Sequence, residues 1–503
     1  MFEINIFLIR WSGKVEKWEV LKSRKGMWPF IMEGNNMKNK LRVFIQLSML
    51  SLMFTFGLPA MAWPATYYVS NDSGNDSNPG ISEADAFKTI QKANDLMIAG
   101  DNCIVFPGNY PERITVKNSG TPQAPIVFQA NSNVVMKGFR IHGKDFIHIR
   151  GFEITDTQID EWTREGRADG AGIAVEGRYC EIVGNYIHNV AGIGIDMRGI
   201  WEKDAETTSN CIVKENTIAY AGICGIQVEG RNHLVEANDI SHTLQYPPKM
   251  YDPPSGADAD GIRFFGTGHI IRKNYIHDIL DKPENPNDPH IDFFQTWGNA
   301  YGIVFEQNLC VSPNTSGGNQ ILMLEQLSGH GTVRDIIFRN NIFVMNDPGY
   351  SPMVIMDKND GSFVENFTIV NNVFAHPNDI GDYAIWLQNA KNVVIKNNIF
   401  LNYGNYRYSY LHTSRVVDNV DIGYNCVYNI NGQAPNGDPN LNDLWMVDPN
   451  FKDIPNLDFS LRESSPLIDM GIALTEVRED YLGTFRPQGI GYDIGAFEFL
   501  PLN

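Results

Sequence analysis

The sequence has no closely paired cysteines. Its six cysteines, Cys103, Cys180, Cys211, Cys224, Cys310 and Cys426, form no CxxC pair, which argues against a zinc knuckle. Helical periodicity is scarce. So is positive charge: 40 Lys and Arg stand against 59 Asp and Glu, for a net charge of −19. Residues 1–62 hold nine of the basic and four of the acidic residues, so the rest of the chain carries about −24. Such a surface repels nucleic acid and anionic membranes. It also repels a polyanionic sugar unless a cation or a local Arg/Lys cluster intervenes. No steady period near 40 residues runs through the chain, which excludes a propeller.

One apolar run stands out, from Val43 to Leu58. A basic start (Met37-Lys38-Asn39-Lys40-Leu41-Arg42) precedes it, and the small-x-small sequence Ala60-Met61-Ala62 follows. Together they read as a secretory signal over 37–62, too short and wrongly flanked for a spanning helix. Residues 1–36 then read as an over-called start, with Met37 the true initiator. The expected product is exported: secreted, periplasmic or at the surface of a bacterium, with no membrane span once the signal is removed. A monomer is expected.

Glycine (45 residues) and asparagine are abundant, as in short strands joined by tight turns. Residues 84–98 carry the one clear amphipathic helix, with Phe87, Ile90, Ala93 and Met97 near helical spacing. From Ile126 onward, apolar alternations end in Asn, one further residue, and then Ile, Val, Phe or Cys. The asparagines are Asn185, Asn216, Asn238, Asn274, Asn308, Asn341, Asn372, Asn398 and Asn425, with a shortest spacing of 22 residues. A fixed minimum with variable additions describes identical coils with insertions at their turns. Stacked coils bury Ile, Val and Phe in one continuous core, and stacked Asn side chains hydrogen-bond along the axis. Asn also tolerates the left-handed corner such a coil needs. The helix would cap the first coil. Cys180 and Cys211, each five residues before a repeat Asn, should stack in adjacent coils as a disulfide or as two reduced thiols.

The Asn column, the Gly-Ile-x-Val strands and the minimum of 22 residues resemble the right-handed parallel β-helix, or pectin-lyase-like, superfamily over about residues 64–440. The resemblance implies an all-β solenoid with an N-terminal capping helix. Residues 63–440 form the solenoid on this reading. Residues 441–503 form a small β-rich module, in which Asp448-Pro449-Asn450-Phe451 and Asp493-Ile494-Gly495-Ala496-Phe497-Glu498 resemble a module on secreted bacterial β-helix proteins. It is expected to act as a cap, or as a surface-associated element.

Five strands align from their pattern: Gly172–Gly177, Gly194–Gly199, Gly225–Gly230, Gly261–Gly266 and His290–Gln295. Alternation then faces two columns outward. The first is Ala174, Asp196, Gln227, Arg263 and Asp292. The second is Glu176, Arg198, Glu229, Phe265 and Phe294. Asp258, Asp260 and Asp288 sit on the rim as candidate Ca²⁺ ligands, since hard cations take oxygen donors. Arg263, His290 and Asp292 are the candidate catalytic residues. Asp196, Arg198, Gln227, Glu229, Phe265, Phe294, Gln295 and Trp297 are candidate sugar contacts, the aromatic ones by stacking. Asp288-Pro289-His290 resembles part of the DPHD motif of mannuronan C5-epimerases, with Ile291 in its last place. Gly329-His330-Gly331 reads as a turn.

The superfamily resemblance implies a carbohydrate-active enzyme on a linear, uronic-acid-containing polysaccharide, with β-elimination as the leading reaction. The alternatives are an inverting glycoside hydrolase, a C5-epimerase and a non-catalytic surface adhesin.

Overall fold

The computed structural model describes residues 9–11, 18–20, 63–159, 168–198, 208–243, 259–279, 291–313, 320–346, 351–359, 361–405, 407 and 409–501. The expected signal at 37–62 lies outside them. Two compact units are present, 1–63 and 64–503. In the first, Ile9–Trp11 and Trp18–Val20 pair antiparallel.

The second unit is the solenoid. Its short strands pair in parallel with their equivalents in the next coil, making sheets of 23 and 13 strands. One face is built from β1 (Ile173–Glu176), β2 (Ile195–Met197), β3 (Ile226–Val228), β4 (Ile262–Phe264), β5 (Phe294–Thr296), β6 (Leu322–Gln326), β7 (Met353–Asp357), β8 (Ile385–Lys396) and β9 (Leu411–Gly423). Alternate residues of each strand point into a single apolar core of stacked Ile, Val, Leu and Phe.

The asparagine ladder is continuous. The Nδ2 of each Asn donates to the Oδ1 of the next, at 2.9–3.1 Å, from Asn185 through Asn425. The same Oδ1 also accepts the backbone N–H of the preceding Asn, as Asn308 N–H to Asn341 Oδ1 at 3.0 Å. The second Nδ2 proton goes to a backbone carbonyl, as Asn308 to Ile271 O at 2.9 Å. Asp443 receives the last backbone N–H, from Asn425, at 2.8 Å. A buried amide is inexpensive here because its donors and its acceptor are all used.

The left-handed conformation falls one place earlier than expected. Glu215, Ala237, Lys273, Gln307 and Asn340 have φ of 53–57°, whereas the ladder asparagines are not at positive φ. The ladder holds this corner: each Asn binds the backbone on both sides of it, which compensates for the left-handed strain of residues such as Ala237.

The N-terminal helix, α1 (Ile90–Leu96), is shorter than the amphipathic pattern. Phe87 is drawn into a bridge with Val69, and Asp76 takes the N–H groups of Lys88 and Thr89, so the helix starts only after Thr89. Phe87, Ile90, Ala93 and Met97 are all buried against the first coils. The C-terminal segment lies along the flank of the later coils. Its Phe459, Leu461, Leu467, Ile494 and Ala496 pack on Ile342, Val373 and Ile399. Corner side chains fasten it: Asn340 Nδ2 donates to Glu479 O at 2.7 Å, Asn371 Nδ2 to Gly495 O at 3.1 Å and Asn397 Nδ2 to Ile472 O at 2.8 Å. Inside it, Arg486 and Glu498 form a fully buried ion pair at 2.7 Å.

Cys180 and Cys211 stack in neighbouring coils as buried free thiols.

Candidate functional site

The outward columns follow from strand register. Ala174 pairs with Asp196, Asp196 with Gln227, and Gln227 with Arg263. The next member is Gln295. The column continues through Met323, Val354, Trp386 and His412. Two residues further along each strand lies the second column: Glu176, Arg198, Glu229, Phe265, Trp297 and Glu325.

The fifth coil corrects the sequence alignment by three residues. An odd slip turns every side chain to the other face. Phe294 pairs with Ile262 and is fully buried in the core, so it is not a sugar contact. Asp292 leaves the outward column and takes the position of Asp260 instead. Gln295 and Trp297 occupy the two outward places. The slip is fixed by contacts between coils: the Asp292 N–H donates to Asp260 Oδ1 at 2.9 Å, and Asp292 Oδ1 accepts the Gln320 N–H at 3.1 Å. Asp260 and Asp292 thus bridge successive turns.

The stripe is densely charged and mostly buried. Arg198 Nε donates to Asp196 Oδ2 at 2.6 Å, and its Nη1 lies 3.4 Å from Glu176 Oε1. His142 Nδ1 meets the other Glu176 oxygen at 2.6 Å. Gln227 Nε2 donates to Glu229 Oε1. Arg263 Nε donates to Asp260 Oδ2 at 2.5 Å. Burial by itself pulls the Arg198 guanidinium down, but Asp196 and Glu176 outweigh it and leave it above its ordinary value. The Arg263 guanidinium lies 5.6 Å from the Trp297 ring, and Phe265 meets Trp297 edge-on at 4.7 Å. At 9% exposure Arg263 is typical of the stripe. Weak solvation strengthens each of these contacts.

Two stacked histidines support the stripe from behind. His233 accepts the Cys211 N–H on Nδ1 (3.1 Å), and its Nε2 meets Glu229 O (2.9 Å). His269 repeats the arrangement with His233 N–H and Phe265 O, at 3.2 and 2.8 Å. The two rings stack at 5.1 Å. Burial pushes His269 down to about 3, so it is neutral and serves as a backbone clasp.

Asp196, Arg198, Gln227, Glu229, Arg263, Phe265, Gln295 and Trp297 are therefore brought together on one face. Asp258, Asp288 and His290 lie outside the described residues. Asp260 Oδ2 accepts from Arg263 and its Oδ1 from the Asp292 N–H. Among the described residues no cluster of three or more His, Cys, Asp or Glu is arranged to hold a metal. His142 was missed from the sequence because its strand, Phe139-Arg140-Ile141-His142, lacks the Gly-Ile opening; its in-out alternation was the available signal. His330 lies in a turn between Gly329 and Gly331, both at positive φ.

No family model matches the chain. A stretch of 138 residues is 30% identical to the uncharacterised protein YwoF of Bacillus subtilis, covering 25% of this chain and 29% of that protein. Another of 143 residues is 26% identical to α-1,3-galactosidase A of Akkermansia muciniphila, covering 26% and 24%. The chain thus matches less than a third of the length of these relatives. Among solved structures, XylC in complex with xylose superposes with a TM-score of 0.58 at 15% identity, over 86% of this chain and 98% of that one. Pectate lyase Pel9A gives 0.52 at 18% identity, over 87% and 97%. The family 6 alginate lyase AlyGC gives 0.50 at 15%, over 87% and 59%. At such identities the likeness is one of fold. Coil register, the Asn ladder and these superpositions together make this chain a parallel β-helix protein.

Proposed function

We propose that this protein is an exported carbohydrate-active enzyme that hydrolyses a glycan at the outward stripe, with Asp196 and Glu229 as its acid/base pair. The observation that carries this reading is the placement of two carboxylates on neighbouring coils of one face. Asp196 is held by Arg198, which orients it as a base that activates water. Glu229 accepts from the Gln227 amide, which orients it as the acid that delivers a proton to the leaving oxygen. The two lie one coil and two residues apart, which sets their Cα atoms about 8 Å from each other. Inverting hydrolysis needs carboxyl groups roughly 6.5–9.5 Å apart, with room for water between them, a separation that two side chains leaving one face at that Cα spacing can reach. Arg198 fixes Asp196 and Glu176. Trp297, half-buried and backed edge-on by the buried Phe265, offers a ring to a sugar.

Charge favours a neutral glycan. Among the described residues of the stripe the carboxylates Glu176, Asp196, Glu229, Asp260 and Asp292 outnumber the guanidiniums Arg140, Arg198 and Arg263. Arg198 and Arg263 already bind carboxylates. The superposition on XylC with xylose and the partial match to a galactosidase support the same reading.

Elimination on a uronate polymer is the second reading, supported by likeness in fold to Pel9A and AlyGC. It would require Arg198 or Arg263 to leave its carboxylate for the substrate. A panel of neutral and acidic polysaccharides separates the two. Hydrolysis releases reducing ends without ultraviolet absorbance, and elimination releases an unsaturated, absorbing sugar. Binding without either product would leave an adhesin.

A further inference from the structure

The two ends of the solenoid are finished differently. At the N-terminal end, the strand Thr66–Val69 is covered by residues 80–87: Tyr68 N–H binds Gly80 O, and Ser70 N–H binds Phe87 O, both at 2.8 Å. Helix α1 closes the core beneath them. At the other end, β9 runs for 13 residues and pairs with β8 on one side. Among the described residues its other edge meets one isolated bridge, Gly423 with Leu441 at its last residue, and no further strand. The core under β9 is also incompletely covered. Ile385, Ala390, Val393 and Ile395 of β8 are fully buried, whereas their equivalents in β9, Leu411, Val417, Val420 and Ile422, are only half-buried. Val416, at the bend of β9, is 54% exposed. A long open edge over an unfinished core is what natural sheets cover or pair.

We propose that β9 is a self-association edge, and that two copies of this chain join end to end through their C-terminal coils. The occupant follows from the shape and charge of the strand. β9 bends at Arg415, whose φ is 56°, and again at Asn419, whose φ is 54°, a corner that separates a first arm (411–414) from a second arm (420–422). A two-fold axis through this bend lays the first arm of each copy antiparallel beside the second arm of the other. Leu411 then meets Ile422, His412 meets Asp421, Thr413 meets Val420 and Arg415 meets Asp418. Inward residues stay inward and Arg415 faces the opposite charge of Asp418, as favourable cross-strand pairs require. Because α1 closes the other end, the assembly stops at two copies and does not grow into a filament.

Light scattering with size-exclusion chromatography tests this on the protein lacking the leader, across about 1–100 µM. The expected result is twice the monomer mass at the upper end and concentration-dependent dissociation below it. Arg415→Asp and Asp418→Arg should each weaken the dimer at least tenfold, while the double exchange restores it. Circular dichroism and thermal midpoints close to wild type show that the variants are folded. Val416→Lys, at an exposed position, should also dissociate the dimer. A monomer at 100 µM, a dimer indifferent to these changes, or an open-ended polymer would each overturn the proposal.

Discussion

Two columns of polar side chains run along the same coils, one inside and one outside. The inner column repeats a single residue nine times. Every Asn meets an identical neighbour, so each donor and acceptor is matched and no net charge is buried. The outer column never repeats one residue in adjacent places: Asp196, Gln227, Arg263 and Gln295 follow one another. Mixed charge there is compensated in pairs, with Arg198 serving two carboxylates. Uniformity serves stability, and heterogeneity provides chemistry. The outer face also changes along its length, from charged coils to Met323, Val354, Met356 and Trp386, which pack as an apolar group.

The contrast can be broken first at the ladder. Asn308→Leu strands the Ile271 carbonyl and the Asn274 donors inside the core. Chemical denaturation should show a loss of about 4–5 kcal/mol, with each orphaned group costing about 1–3 kcal/mol. Activity per folded molecule should not change. Asp196→Asn and Glu229→Gln should do the reverse. Each should lower kcat by about 10²–10⁴ on the responsive glycan; Glu229→Gln should leave the unfolding midpoint nearly unmoved, whereas Asp196→Asn also weakens the buried pair with Arg198 and should cost about 1–3 kcal/mol. A fall in stability as large as that of the ladder variant would make these carboxylates structural.

Acid offers a third test, at the clasp between the two columns. His269 is held down at about 3, against about 6.5 when unfolded. From about pH 6.5 down to about 3 the unfolded chain binds the proton that the folded chain refuses. Stability should therefore fall with acidification, by up to about 1.4 kcal/mol per pH unit from this group, and be unaffected by it above about pH 7. Denaturation curves of wild type and His269→Gln across that range isolate the slope. The smallest effect is expected at Trp297→Ala, about 1 kcal/mol, read as a roughly fivefold rise in KM with kcat retained.

The inner column was legible in the sequence because one residue type at one place in each repeat leaves a visible mark. The outer column was legible only where Gly-Ile marks the strand start. That held for the coils of Ala174, Asp196, Gln227 and Arg263, and failed at the next. There, His290-Ile291-Asp292-Phe293-Phe294-Gln295 offers two apolar alternations in opposite phase. The choice between them rests on a side-chain to backbone bond from another coil, Asp260 to Asp292, which no local pattern encodes. The same holds for Asp260: the sequence shows its carboxylate but not the Arg263 and backbone groups that it binds.

The ladder has a consequence for how such a chain can lengthen. Each rung presents the same amide to the rung above and to the rung below. A whole coil could therefore be duplicated or excised between two ladder asparagines without changing what either neighbour meets. The fold is a series of interchangeable parts, and its length can drift while the one place where the parts differ, the outward face, is free to specialise.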